Sequence, residues 1–261
     1  MKTMASPNDS LVLSLEHVSV HFEVLKALND VSFSVSSSEI VGLIGPNGAG
    51  KTTAFNVACG FVKPSQGQVL FPNKGLKDLK PNQLARAGVA RTLQGVGLFP
   101  HCTVLENVMA GGQVRANGGF ISSFFSLPGG VRSERVLRDD AFAMLESLGI
   151  SKMAKRLPSA IPYGVAKKVS MGRALMCNPS LLLLDEPASG LDEAELDDFA
   201  ALISELRSKM GVLLVEHDME FVMPLVDRLV VLNFGEVIAT GTPSEVHNND
   251  AVIAAYLGVD E

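Results

Sequence analysis

The chain has no tryptophan, two tyrosines and three cysteines. Cys59, Cys102 and Cys177 lie far apart, with no CxxC pair and no histidine cluster beside them. That pattern argues against a zinc site or a disulfide framework and predicts reduced, structural thiols in a cytosolic protein. Long apolar runs are also missing: no window approaches the ~18 uncharged residues of a membrane helix. The first residues, MKTMASPNDS, are polar and hold Pro7 and Asp9, so they lack the hydrophobic core of a signal peptide. A soluble chain is expected, free to dock on something that is not. Excess positive charge is absent too, since 22 basic against 28 acidic residues leave a net charge of −6, which argues against a general nucleic-acid-binding surface. No internal repeat is present.

What the chain does have is apolar residues at 47% and 24 glycines in 261 residues, enough for one large α/β domain or one domain with a smaller lobe. Continuous apolar runs recur at Ile40–Ile44, Leu181–Leu184, Val212–Val215 and Leu229–Leu232. Runs without alternation suit strands buried on both faces of a parallel sheet. Between them, Leu196, Phe199, Ala200, Ile203, Leu206 and Met210 fall on one face at helical spacing. Earlier in the chain, Leu11–Val20 and Val31–Val35 alternate, and Gly67–Phe71 follows a Pro-Ser-Gln-Gly turn, predicting antiparallel strands. From about Gly95 to Ala160 the period is helical, with Leu137, Ala141, Met144, Leu145 and Leu148 on one stripe and Gly149 placed to end it. The stretch Gly111–Gly130 is rich in Gly and Ser yet carries Phe120, Phe124 and Phe125. It reads as a loop tucking its aromatics onto the helical part or, alternatively, as a partner-facing patch.

Gly45-Pro46-Asn47-Gly48-Ala49-Gly50-Lys51-Thr52 fits G-x-x-x-x-G-K-[ST] at every position, between an expected strand (IVGLI) and an expected helix (KTTAFNVACG). The glycines let backbone N–H groups converge on phosphate oxygens, the helix start adds favourable potential, Lys51 neutralises β/γ-phosphate charge, and the Thr52 hydroxyl can ligate Mg²⁺. Nucleoside triphosphate binding follows. Leu181-Leu182-Leu183-Leu184-Asp185-Glu186-Pro187 then puts Asp185 at the end of a buried strand, where it can hold Mg²⁺ through water. Glu186 points elsewhere and either polarises an attacking water or caps the following turn. His217, in LLVEHD, ends another buried strand and can reach the γ-phosphate side, although a lone strand-end histidine is more often structural. Converging strand ends are the expected site of an open α/β sheet.

In this order, the motifs resemble those of the ATP-binding cassette (ABC) ATPases, from about Leu11 to Gly258. The resemblance implies a P-loop NTPase fold of α/β class: a mainly parallel core sheet, an N-terminal antiparallel β subdomain and an inserted helical subdomain. It implies one ATP-binding domain over 10–258, with 10–94 and 166–258 as the nucleotide-binding core and 95–165 as the helical part. Gln94, in RTLQ, matches the Q-loop glutamine that contacts Mg²⁺. Asp192, in Ser189-Gly190-Leu191-Asp192, matches the D-loop residue acting across a dimer. His217 matches the switch histidine, and Phe22 stands in the place of the aromatic that stacks on adenine, although it could equally be core. The implied ATP contacts are Phe22, Gly45, Pro46, Asn47, Gly48, Ala49, Gly50, Lys51, Thr52, Thr53, Gln94, Tyr163, Gly164 and Asp192. The implied Mg²⁺ ligands are Thr52, Gln94 and Asp185, and the catalytic pair is Glu186 with His217.

The segment Ile161-Pro162-Tyr163-Gly164-Val165-Ala166-Lys167-Lys168 stands where the family carries its signature, most often LSGGQQRR. It resembles the tyrosine-glycine form of branched-chain amino acid importer subunits, with Pro162 in place of serine and Val165 and Ala166 where glutamines usually sit. Gly164 and the following helix remain, so a working variant with slower turnover is expected. RTLQGVGLFPHCTVLENVMAG and GTPSEVHNNDAVIAAYLG resemble the same subfamily.

The resemblance therefore implies an ATP-hydrolysing importer subunit, taking up branched-chain or other amino acids, on the cytoplasmic face of the membrane. Its implied partners are a second ATP-binding subunit, separate transmembrane permease chains and a solute-binding protein, without nucleic acid. The alternatives are another importer or exporter system, a low-turnover ATP-binding regulatory subunit, or a soluble ABC protein of repair or translation, which would usually carry two cassettes or a long coiled coil. A GTPase would need an NKxD-type motif, and Asn73-Lys74-Gly75-Leu76 has leucine at the carboxylate position.

Overall fold

The computed structural model describes residues 11–92, 95–113 and 128–257. Leu11–Phe22 (β1) and Leu25–Ser36 (β2) form a long antiparallel hairpin that extends past both predicted segments. Ile40–Ile44 (β3) leads into Lys51–Ala58 (α1). Gln66–Phe71 (β4) and Leu76–Lys77 (β5) complete a four-stranded sheet of order β2-β1-β4-β5. Val89–Arg91 (β6) returns the chain to the core, and Val104–Gly112 (α2), Pro128–Ser147 (α3) and Tyr163–Leu175 (α4) follow. Leu181–Asp185 (β7), Glu193–Leu206 (α5), Gly211–Val215 (β8), Met219–Val222 (α6) and Arg228–Asn233 (β9) build the second half. Glu236–Gly241 (β10), Pro243–His247 (α7) and Asp250–Leu257 (α8) close the described chain.

The second sheet has the order β10-β9-β3-β8-β7-β6; all its neighbours are parallel except the β10–β9 edge. Its central strands read as unbroken apolar runs because both faces are covered. Val41, Leu43, Leu181, Leu183, Leu213 and Val215 join one core with α1 and the antiparallel sheet. Their alternates Ile40, Ile44, Leu182, Leu184, Val212 and Leu214 join another with Phe199, Ile203 and Phe221. Each fully buried Leu or Ile of these runs contributes about 1.5–3 kcal/mol, so the strand ends that carry the site sit on strands anchored by several such residues.

A third core unites Val104, Val108, Ala141, Leu145, Leu148 and Ile150 with Val169 and Met176, and α4 runs continuously across the expected join at 165/166. After α3 the Gly149 N–H bonds the Glu146 carbonyl (3.0 Å) and Ile150 N–H the Leu145 carbonyl (2.9 Å), which closes the helix in a Schellman motif. The helix through Leu196 stops at Leu206, so Met210 is not part of its apolar stripe; it is buried instead from the turn that enters β8. Both ends of the Gly111–Gly130 stretch are helical, as the end of α2 and the start of α3, while Phe120, Phe124 and Phe125 lie outside the described residues.

Candidate functional site

The parallel register puts the C-terminal ends of β3, β8 and β7 side by side, carrying the loop from Gly45, His217, and Asp185 with Glu186 respectively. Gly45 opens the loop at φ 148°, and a Cβ there would collide with the Leu232 carbonyl oxygen, so only glycine fits the exit from the strand. Gly50 caps α1 and supplies no side-chain oxygen to its first amides. Lys51 folds back over the loop, its Nζ donating to the carbonyls of Gly45 (2.6 Å) and Pro46 (2.8 Å). Burial lowers the Lys51 pKa, and the negative charge of Glu186 partly offsets this.

Asp185 is 9% exposed, and Arg91, from the neighbouring β6, approaches its Oδ2 at 3.3 Å. The Arg91 guanidinium lies over the rings of Phe55 (5.2 Å) and Phe61 (4.9 Å), so α1, β6 and β7 are tied together behind the loop. Burial raises the Asp185 pKa from its ordinary value, against the pull of Arg91. The thiol of Cys59, at the far end of α1, is pushed up to about 12, first by burial, and is inert as a nucleophile. Thr52 is exposed at the loop and Asp185 waits at the strand end; hydroxyl and carboxylate are the hard oxygen donors that suit Mg²⁺. Gln94, the third predicted ligand, lies outside the described residues.

Glu186 adopts φ 47°, a left-handed backbone that L side chains rarely take. Its N–H donates to the Val215 carbonyl (3.0 Å), and Lys167 Nζ donates to the carbonyls of Glu186 (3.2 Å) and Pro187 (2.7 Å). Glu216, 0% exposed, accepts the Ala188 N–H at 2.6 Å and the His217 N–H at 3.1 Å. The His217 side chain itself is exposed. Arg91, Lys167 and Glu216 join the site without a sequence motif that marks them. A charged residue inside or directly after a buried apolar segment was the available signal for all three.

The signature segment packs within its own chain. Tyr163, 43% exposed, rests against Gly190, and the Lys167 ammonium lies 5.6 Å over its ring. A Cβ on Gly164 would run into the Glu195 carboxylate, which would have to swing aside from this close approach of α4 to α5. Glu195 in turn forms a capping box with Asp192, and Lys168 Nζ bonds Asp198 Oδ2 at 2.7 Å. Arg173, further along α4, donates to the Gly97 carbonyl at 2.8 Å. Phe22 is 47% exposed near the tip of the first hairpin and is not a core residue. It lies next to the strand whose Ala27 carbonyl packs on Gly50.

Pro162 caps α4 without a side-chain hydrogen bond and is exposed, whereas Ala166 is buried. Restoring both family residues is therefore not one experiment: Ala166→Gln would force an amide into the core. Pro162→Ser alone should add a cap hydrogen bond worth ~1 kcal/mol to the helix, read as a rise in Tm. It should also raise turnover if the missing hydroxyl limits it. An unchanged Tm would mean that the serine finds no amide to cap.

A family model described as "ABC transporter" matches residues 28–189, and one described as "Branched-chain amino acid ATP-binding cassette transporter" matches 236–261. The chain is 41% identical over 249 residues to the high-affinity branched-chain amino acid transport ATP-binding protein LivG of Escherichia coli, covering 95% of this chain and 98% of that protein. Among solved structures, the ADP conformation of an ATP-binding cassette of an ABC transporter superposes with a TM-score of 0.82 at 32% identity, over 95% of this chain and 99% of that one. A dimeric cassette in a post-hydrolysis state, bound to ADP and Pi, gives 0.72 at 26% identity, over 88% and 98%.

Proposed function

This chain belongs to the ABC transporter family of ATP-binding subunits, which are ATPases coupled to transport, and we propose that it powers the uptake of branched-chain or closely related amino acids. The observation that carries the ATPase chemistry is the junction of three adjacent strand ends, with the phosphate loop, His217 and the Asp185–Glu186 pair on one edge of the sheet. The identity to LivG and the match of the C-terminal segment support the solute class.

In this reading the amides of Gly45 to Thr53 and the Lys51 ammonium hold the β- and γ-phosphates of ATP, with Phe22 against the adenine. Thr52 and Asp185, with Gln94, would hold Mg²⁺, which when bound neutralises charge on the β- and γ-oxygens. Glu186 accepts a proton from the water whose oxygen attacks the γ-phosphorus; the bond from that phosphorus to the β-bridging oxygen breaks and ADP leaves. His217, exposed on the neighbouring strand end, contacts the γ-phosphate. Tyr163, Gly164 and Asp192 serve the ATP held by a second ATP-binding subunit, a reading supported by the dimeric cassette this chain resembles. Residues 10–258 act as one ATP-binding domain, with 95–165 as its helical part.

No helix of the described residues is long and apolar enough to cross a membrane. In this reading the chain docks at the cytoplasmic face on separate permease chains, fed by a solute-binding protein, as the likeness to transport ATP-binding proteins supports. Deleting the gene in its host should abolish most high-affinity uptake of radiolabelled leucine or valine, with restoration by the wild-type chain and not by Glu186→Gln. Unchanged uptake of these amino acids, with loss of another solute's uptake, would overturn the solute class and leave the ATPase standing.

A further inference from the structure

The turn Glu186-Pro187-Ala188 connects the strand-end carboxylates to the D-loop, and it is gripped from both sides by buried charges. On one side is Lys167, 7% exposed, on the second turn of the signature helix; its Nζ reaches the Glu186 carbonyl at 3.2 Å and the Pro187 carbonyl at 2.7 Å. On the other is Glu216, whose Oε1 accepts the Ala188 N–H at 2.6 Å while Oε2 accepts the His217 N–H at 3.1 Å. Three consecutive residues are therefore fixed by two side chains distant in sequence. One of these belongs to the signature and the other immediately precedes His217.

Burying a lysine and a glutamate is costly, and apolar residues of the same volume often serve the fold as well or better. Burial lowers the Lys167 pKa and raises that of Glu216, so both charges are held against a desolvation cost. What they stabilise is local: Glu186 sits at φ 47° and does not hold that conformation by intrinsic preference.

We propose that Lys167 and Glu216 are positioning residues for hydrolysis: they fix the backbone of the Glu186–Ala188 turn between the signature helix and the His217 turn, and so aim the Glu186 carboxylate. The inference rests on the reading of Glu186 as catalytic base. It also gives Lys167, the first of the basic pair in IPYGVAKK, a task within its own subunit.

The test compares the full chain with Lys167→Met, Glu216→Gln and Glu216→Ala, measuring kcat and KM for ATP, binding of a fluorescent ATP analogue, and thermal melting. Misaimed catalytic groups cost about 10- to 100-fold in rate, so kcat should fall by that factor in Lys167→Met and Glu216→Ala, with analogue binding changed less than about two-fold. Glu216→Gln keeps one carbonyl oxygen for the Ala188 N–H and should fall less than Glu216→Ala. If Lys167→Met proves too unstable to assay, the two Glu216 variants decide alone. A wild-type kcat in folded Lys167→Met, a change confined to KM, or equal losses in Glu216→Gln and Glu216→Ala would overturn the proposal. Glu186→Gln separates the two levels of the account. If it is inactive beside a fully active Lys167→Met, the base stands and the positioning role falls. If Glu186→Gln is itself fully active, the reading of the site falls, and this inference with it.

Discussion

Glu186→Gln should abolish hydrolysis and leave ATP bound. Loss of a general base costs about 10²- to 10⁴-fold in rate, and the amide cannot take the proton of the attacking water. The backbone of the turn should survive, because the contacts that hold it run through the Glu186 N–H and carbonyl, which the substitution keeps. ATP affinity should hold or rise, since the variant removes a negative charge close enough to Lys51 to be felt there. With hydrolysis stopped, an ATP-dependent dimer should accumulate and elute early in size exclusion with ATP, but not with ADP. Hydrolysis within about ten-fold of wild type would remove Glu186 as the base, because a missing general base costs at least about 10².

Lys51→Ala should abolish useful nucleotide binding without harming the empty fold. Among the described residues the half-buried ammonium hydrogen-bonds loop carbonyls, and burial already disfavours its charge. Its removal therefore relieves a desolvation cost, and the Tm of the nucleotide-free variant should be unchanged or slightly higher. Against phosphate the same ammonium makes charge-assisted hydrogen bonds worth about 3 kcal/mol, so ATP affinity should fall roughly 100-fold. Isothermal titration with ATP beside a thermal melt reads both quantities. A variant that binds ATP normally would contradict the phosphate-cradle assignment, and one that melts far lower would make Lys51 a structural residue.

Much of this molecule was legible in its sequence because the informative residues are local. The unbroken runs at Ile40 and Leu181 announce strands covered on both faces, and the two cores they feed alternate residue by residue. The phosphate loop is a contiguous motif with its strand and helix attached. Other elements carried no such mark. Val89–Arg91 is three residues long, and Glu236–Gly241 is a half-exposed antiparallel edge, so neither presents an apolar run of strand length. Met210 kept helical spacing past a helix that had already ended, because a buried turn residue meets the same core as the helix before it.

The site is least legible in the sequence where its parts meet across long separations. Arg91 reaches Asp185, Lys167 reaches Pro187, and Glu216 reaches Ala188, and each is a single charged residue whose partner only the fold reveals. In the sequence the signature stands out by its missing glutamines, the side chains that would face a neighbouring subunit's ATP. Its retained residues instead bind inward, with Tyr163 on Gly190, Gly164 on Glu195 and Lys168 on Asp198. The variant IPYGVAKK is thus built into the cassette on one side whatever it presents on the other. Phe22, ambiguous between adenine contact and core, is exposed near the tip of the hairpin whose second strand brings the Ala27 carbonyl against Gly50.

The central claim is that two cassettes complete each other's ATP sites, with Glu186 as the base. The most direct measurement is the rate of ATP hydrolysis by the purified chain as a function of its concentration, beside Glu186→Gln. The account predicts a rate that rises faster than linearly with protein and vanishes in the variant. A rate strictly proportional to protein from the lowest concentration upward, with an equally active Glu186→Gln, would contradict it.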